Sequence, residues 1–231
     1  MASTYESKQS WTSWRKANYV FFEEYLKNLD KNKVLIDLGS GPEQFRDITW
    51  QFNHTSLDFK QFGTTKIIAD LTKPLPLEDE SADIVFASNL LEHLPWGLDL
   101  LREAYRILKP GGMMIGTVPF LAQIHQEPYD YNRYTHFMLD LLLKEAGFEV
   151  KEIRAIGKPI KVYLNMQDQF FSHLKKTNFS SNKLLQFTLV KLGRFARLLS
   201  RILLIIFYPL FIRAPESPHF TQGYGFIGVK K

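Results

Sequence analysis

No cysteine occurs anywhere in the 231 residues. Disulfides and thiolate metal ligands are thereby excluded, and the chain suits a reducing compartment. Long apolar runs are scarce. The longest, Ile202 to Ile212, is broken by Pro209 and is much shorter than the about 20 residues of a membrane-crossing helix. The opening residues, Met1 to Glu6, are polar and lack the apolar run of a secretory signal, which points to the cytoplasm. Acidic residues are missing from 169–215, which holds eight Lys and Arg and no Asp or Glu; the rest of the chain carries 21 basic and 24 acidic residues. The net charge of +5 therefore belongs to one C-terminal segment, and the remaining body argues against nucleic-acid binding. No metal-ligand spacing is visible, so a metal centre is not expected.

What is present is organised around Val34-Leu-Ile-Asp37-Leu-Gly39-Ser40-Gly41-Pro-Glu43. A short apolar strand ends in an acid and a turn with two glycines. Glycines tolerate unusual backbone angles and let a ligand approach the main chain. A hydrophilic helix start is expected behind the turn, offering free N–H groups. The fingerprint Gly-x-Gly-x-x-Gly is incomplete, because Gln44 stands at its last position. A second strand, His54 to Asp58, places an acid about 20 residues on, where a ribose-binding carboxylate is expected. Then follow Ile67-Ile-Ala-Asp70-Leu71, the apolar strand Asp83 to Ala87 with Ser88-Asn89, the pair Glu92-His93, and Lys109-Pro-Gly-Gly112.

In this order and spacing, residues from roughly 30 to 155 resemble the class I S-adenosylmethionine-dependent methyltransferases. The resemblance implies an α/β, Rossmann-like sheet of seven strands, the last antiparallel, with helices on both faces. It implies S-adenosyl-L-methionine as cofactor and S-adenosyl-L-homocysteine as product. Its motifs assign Asp37, Gly39, Ser40 and Gly41 to the cofactor loop, with Asp37 near the methionine amino group. They assign Asp58 to the ribose hydroxyls, Phe59 and Leu71 to the adenine ring, Asp70 to the adenine amino group, and Ser88 and Asn89 to the methionine part. Glu43 departs from the pattern by replacing the third motif glycine; a slightly wider loop, with Glu43 favouring the helix start through its dipole, is expected. In the family the Glu92-His93 pair belongs mostly to loop architecture.

A second informative stretch is His125-Gln-Glu-Pro-Tyr129-Asp130-Tyr131-Asn-Arg133-Tyr-Thr135. It resembles the loop of a methyltransferase subgroup linked with cell-surface glycan and lipid biosynthesis. His125 is the candidate proton acceptor, since its unperturbed pKa lies near neutrality. Asp130 and Arg133 have two readings: substrate contacts, with Arg133 clamping a carboxylate or phosphate, or a mutual pair that holds the loop. Thr135 is placed to cap the next helix.

The chain divides into an N-terminal helix within 1–30, a core at 31–157, an insertion at 158–221 and a final strand at 222–231. Helices are expected over 10–29, 95–108 and 135–146, and strands over 33–38, 113–118, 149–156 and 223–230. The first helix is expected to pack on the sheet, with Trp11, Trp14 or Tyr19 as alternative cofactor contacts. In the insertion, Lys183, Lys191, Arg194, Arg197 and Arg201 fall within an arc of about 120° on a helix wheel, with leucines filling most of the rest. A basic amphipathic helix lying on anionic membrane through 183–212 is the favoured reading; packing on the body or dimerisation is the other. The whole reads as a methyltransferase acting on an oxygen of a glycan-related or lipid-linked acceptor, peripheral on the membrane. A quinone or other lipid-precursor methyltransferase and a non-catalytic cofactor-binding protein are the alternatives.

Overall fold

The computed structural model describes residues 11–176, 181–213 and 215–231. The polar opening at 1–6 and the first residue of the expected 10–29 helix lie outside the described residues. In chain order the elements are α1 (Ser13–Leu26), β1 (Val34–Leu38), α2 (Arg46–Thr49), β2 (Asn53–Asp58), β3 (Ile67–Ile68), β4 (Ala82–Ser88), a 3-10 turn (Leu91–His93), α3 (Gly97–Ile107), β5 (Leu108–Pro119), α4 (His136–Glu145), β6 (Glu149–Ile156), α5 (Pro159–Lys176), α6 (Lys183–Ile212) and β7 (Gly223–Val229).

The strands form one sheet in the order β3-β2-β1-β4-β5-β7-β6. β1 to β5 are parallel; β7 slots between β5 and β6, antiparallel to both. This is the seven-stranded arrangement expected from the sequence, and the last strand does return to the sheet after the insertion. Successive side chains of a strand point to opposite faces, so the apolar β4 feeds two cores. Val85 and Ala87 join α3 and α4 through Leu101, Ala104 and Leu143. Ile84 and Phe86 join α1 through Phe21, Phe22 and Leu26. Burying each such side chain is worth roughly 1.5–3 kcal/mol.

Glycines in β7 set how closely α1 docks. A side chain at Gly225 would stand 2.7 Å from the Phe21 ring, and one at Gly223 would stand 2.4 Å from Trp14. Their absence lets α1 lie directly on β7 and carries Trp14 to the strand ends. The start of α1 is fixed by Thr12, whose hydroxyl accepts from the Arg15 N–H at 3.2 Å. Thr135 caps α4 in the same way, as expected.

Three local expectations change. The helix behind the glycine turn is only the four-residue α2, since the chain must reach β2 by Asn53. The turn is therefore backed by loop, not by a helix end. Lys109 to Gly112 does not separate helix from strand. α3 runs directly into β5, and residues 109–112 bulge within that strand between the pairs Ala82↔Leu108 and Ile84↔Met113, with Gly111 and Gly112 hydrogen-bonded to Lys230. The insertion forms a helical hairpin, α5 against α6, whose long arm is one continuous helix through Pro209. No helix among the described residues is long and apolar enough to cross a membrane.

Within that hairpin Asp168 of α5 takes Arg197 at 2.5 Å and Arg201 at 2.6 Å. Two of the five cations assigned to a lipid-facing arc thus face the partner helix. The acid-free window starts one residue after Asp168, which hid the pairing.

Candidate functional site

Between β1 and β4 the connections leave in opposite directions, and open sheets bind ligands at such a switch point, outside the carboxyl ends of the strands. A cleft of about 1050 Å³ opens there. Its floor is the ends of β1, β2, β4 and β5 at Asp37, Asp58, Ser88 and Pro119, and α1 walls it with Thr12 to Arg15.

At one end lies the glycine turn. Gly39 (φ +66°) and Gly41 (φ +50°) both adopt left-handed backbone. A Cβ on Gly39 would meet Leu90 at 2.6 Å, whereas Gly41 faces open space. The turn is tied to the end of β2. Gly39 N–H donates to Leu57 O at 2.9 Å and Gly41 N–H to Asp58 Oδ2 at 2.8 Å. One carboxylate oxygen of Asp58 therefore braces the loop, while the other, Oδ1, is buried with no hydrogen-bond partner. Ser40 Oγ is likewise buried and unpartnered. An orphaned acceptor and an orphaned hydroxyl beside an open glycine fit a ligand with hydroxyl and amine donors, as an S-adenosyl nucleoside has.

Asp37 is buried 3.5 Å from His54 Nε2 of β2. Burial pushes its carboxyl up to about 6, against the pull of the nearby His54. Glu43 also sits in left-handed backbone (φ +51°), the conformation a motif glycine supplies. Its buried side chain leaves the cleft and accepts from Thr64 Oγ1. The expected helix-capping role is thus replaced by a bond to the loop before β3, and the turn keeps its glycine-like course. Asp70 and Leu71 border the cleft. Asp70 is exposed and accepts from Thr72 N at 2.9 Å and Thr72 Oγ1 at 2.7 Å, which lowers its pKa. Phe59 stands exposed on the rim.

Past β4, Asn89 also has a positive φ, +52°. Its Oδ1 accepts from Trp14 Nε1 at 2.9 Å, and its amide donates to Ser88 Oγ at 3.2 Å. Trp14 therefore lines the cleft, whereas Trp11 and Tyr19 pack against the α1 core. Arg15 lines the same wall, its guanidinium 5.5 Å from the Trp11 ring centroid.

The far end is polar and built by the 122–131 loop, by Glu92 and His93, and by Asn165 and Gln169 of α5. His125 Nδ1 lies 3.2 Å from Asp130 Oδ2 and 3.2 Å from Gln123 O. Its ring stands edge-on to His93, centroids 5.0 Å apart. His93 Nδ1 is 2.6 Å from Tyr129 O. Burial lowers the His93 pKa. Glu92 is 0 % exposed, neither carboxylate oxygen has a hydrogen-bond partner, and burial raises its pKa to about 8.

Asp130 and Arg133 form a two-pronged pair at 2.6 and 2.7 Å, which holds the Asp130 carboxyl at about 2. Arg133 also donates to Asn132 O and Gln123 O. Neither side chain reaches the cleft wall. Of the two readings of this pair, the loop-holding one matches these contacts.

The cleft thus gathers Asp37, Gly39, Ser40, Gly41, Asp58, Phe59, Asp70, Leu71, Ser88, Asn89 and His125 along one surface. The sequence reading missed Glu92 and His93 as cleft residues, along with Asn165 and Gln169. For Glu92 a signal existed: an acid within Leu90-Leu-Glu-His-Leu94 is a buried polar group that needs a reason. Glu92, His93 and His125 offer ligand atoms within 4.8 Å of one another, a grouping that no spacing in the sequence announces.

A family profile described as a methyltransferase domain matches residues 36–116, about a third of the chain. A malonyl-[acyl-carrier protein] O-methyltransferase from a Marinomonas species is 29% identical over 127 residues, 47% of each protein. The chain spans about half the length, or less, of the curated relatives it matches. Among solved structures, the [4+2]-cyclase SpnF superposes with a TM-score of 0.59 at 17% identity, covering 97% of this chain and 85% of that one. An S-adenosylmethionine-dependent methyltransferase from Archaeoglobus fulgidus superposes at 0.57 and 16% identity, covering 94% of both chains. At such identities the superpositions establish the fold alone.

Proposed function

We propose that this chain, which belongs to the class I S-adenosylmethionine-dependent methyltransferases, moves a methyl group to an oxygen of an acceptor held at the histidine-lined end of the cleft. The observation that carries the reading is a single cleft with two chemically different ends. One end has the unpartnered Asp58 Oδ1 and Ser40 Oγ beside the glycine turn; the other has His93, His125, Tyr129 and Tyr131. S-adenosylmethionine, when bound, supplies an electrophilic methyl group on its sulfonium. The chain's own task is alignment, which holds the acceptor oxygen in line and excludes competing water. Asp130 orients His125 from the Nδ1 side, leaving Nε2 to take the hydroxyl proton. An oxygen acceptor also agrees with the O-methyltransferase among the relatives.

For the acceptor class we infer a glycan-related or lipid-linked molecule. Gln123, Gln126, Asn165 and Gln169 at the far end suit a hydroxyl-rich group. α6 supports a membrane-side location: Leu184, Leu192, Leu203, Ile206 and Leu210 are exposed along its length, with Lys191 and Arg194 beside them. A helix of this kind lies in the headgroup region, not across the bilayer. α5 joins that helix to the cleft wall, which brings a lipid-anchored acceptor within reach of the site. The test is transfer of a radiolabelled methyl group into fractionated membrane and glycan extracts. Label in an alkali-stable ether of a glycan or lipid-linked fraction is expected; label confined to proteins would remove this acceptor class.

A further inference from the structure

Glu92, His93 and His125 remain partly unexplained by cofactor binding. Tyr129 O and Gln123 O are carbonyls and only accept, and Asp130 Oδ2 also faces His125 Nδ1 at 3.2 Å. The tautomers that satisfy these closer acceptors carry the hydrogen on Nδ1, with the donor-only Arg133 guanidinium farther from His125 Nδ1 at 3.5 Å. Both rings then present a bare Nε2, and both Nε2 atoms turn toward the same buried carboxylate oxygen. Glu92 Oε1 is 3.7 Å from His93 Nε2 and 4.0 Å from His125 Nε2. Three lone-pair acceptors thus converge, and among the described residues no donor from another residue reaches the Glu92 carboxylate. One further neighbour is the Gln126 amide, 3.2 Å from His93 Nε2. Histidines that ligate a metal usually donate their other ring N–H to a carboxylate or a backbone carbonyl. That is the arrangement here: Asp130 and Gln123 behind His125, Tyr129 behind His93.

From this geometry we propose that Glu92, His93 and His125 bind one divalent first-row metal ion at the acceptor end of the cleft. Two imidazoles and a carboxylate are a donor set that such ions accept while keeping open positions. Closing the three ligand atoms by roughly half an ångström each brings them to the about 2.0–2.2 Å of a bound zinc-type ion. The open positions face the cleft, where Tyr129, Tyr131 and Gln169 also converge. The fitting ligand is an oxygen of the acceptor, and a pair of neighbouring hydroxyls fits best.

The ion's role rests on the methyl-transfer reading above. The acceptor hydroxyl coordinates, its acidity rises, and its proton leaves to solvent. The oxygen lone pair then forms the bond to the methyl carbon as the carbon–sulfur bond breaks. The electron pair goes to sulfur, and alkoxide and sulfonium become ether and thioether with no net charge left over. This role displaces His125 as proton acceptor, because an Nε2 bound to metal has no lone pair free for a proton.

The test uses the full chain stripped with chelator, then titrated with Mn2+ by electron paramagnetic resonance and with Co2+ by visible absorption. One ion per chain is expected, with affinity falling at least tenfold in Glu92→Gln, His93→Asn and His125→Asn. S-adenosylhomocysteine titration should stay within about twofold in Glu92→Gln, which shows the variant folded. Failure to bind one ion, or equal binding in all three variants, overturns the site. Methyl transfer should stop in chelator and return with added ion; full transfer by the stripped protein overturns the role and restores His125 as the base. If methyl transfer fails under every condition while Mn2+ still binds, the functional reading falls and the site stands.

Discussion

Trp14 Nε1 donates to Asn89 Oδ1 at 2.9 Å, joining α1 to the end of β4 across 75 residues of sequence. The bond fixes Asn89 in its left-handed backbone and sets the wall of the cleft where a methionine-like tail would lie. Trp14→Phe removes the bond together with the indole edge, Cη2, that packs on Gly223. The lost bond costs about 0.5–1.5 kcal/mol of stability, so the melting temperature should fall by a few degrees, and the dissociation constant for S-adenosylhomocysteine should rise several-fold in calorimetry as Asn89 loosens at the cleft wall. Unaltered affinity would separate α1 from the cofactor end.

Asp58 braces the glycine turn with Oδ2 and leaves Oδ1 for a ligand. Asp58→Ala should weaken S-adenosylhomocysteine binding by about 1–3 kcal/mol, because an acceptor is lost and the Gly41 N–H is left unpaired. Asp58→Asn keeps one acceptor and should lose less. The order wild type, Asn, Ala in titration checks both halves of the argument.

Asp37 makes a prediction about pH. Folded Asp37 holds its proton up to about pH 6, and an ordinary aspartate loses it near 3.8. Between those values the folded state binds more protons than the unfolded state, so this group's contribution to stability falls as pH rises. Above about 6 its burial costs on the order of 2–3 kcal/mol. Asp37→Asn should therefore melt higher than wild type at pH 8, with the gap closing as pH drops through 6, while S-adenosylhomocysteine binding weakens. Parallel thermal melts from pH 4.5 to 8 measure this; a constant gap would refute it.

The cations of α6 divide into two groups. Arg197 and Arg201 pair with Asp168, and such half-exposed pairs contribute only about 0–1 kcal/mol each. Lys191 and Arg194 have no carboxylate among their described contacts; Lys191 lies over the Phe187 ring at 4.4 Å. Each free cation near an anionic surface is worth about 1 kcal/mol. Charge reversal at Lys191 and Arg194 should cut co-sedimentation with anionic vesicles more than tenfold. Asp168→Asn, which frees two arginines, should increase it. Insensitivity to both changes would exclude membrane contact through this helix.

Much of the fold was legible in the chain alone. The apolar runs, the glycine turn and the acids at 37, 58 and 70 are local signals, because strand, turn and carboxylate each depend on neighbours a few residues away. The end of the insertion was legible for the same reason: Gly223 to Val229 is a short uncharged run of glycines and large apolar residues, as a buried strand is. The short α2 was not, since its length depends on where β2 must begin to pair with β1.

Sequence by itself determined the order of elements, the glycine-turn end of the cleft and the cationic character of one segment. Tertiary structure alone decided which side chains meet. It set Glu92 and His93 against His125, 32 residues away, and spent Arg133 on Asp130 and Arg197 on Asp168. It also brought Trp14 to Asn89 through glycines at the far end of the chain. The reason is physical: periodicity in a chain records which face is apolar, but the partner of a polar group depends on packing between elements that no local pattern encodes.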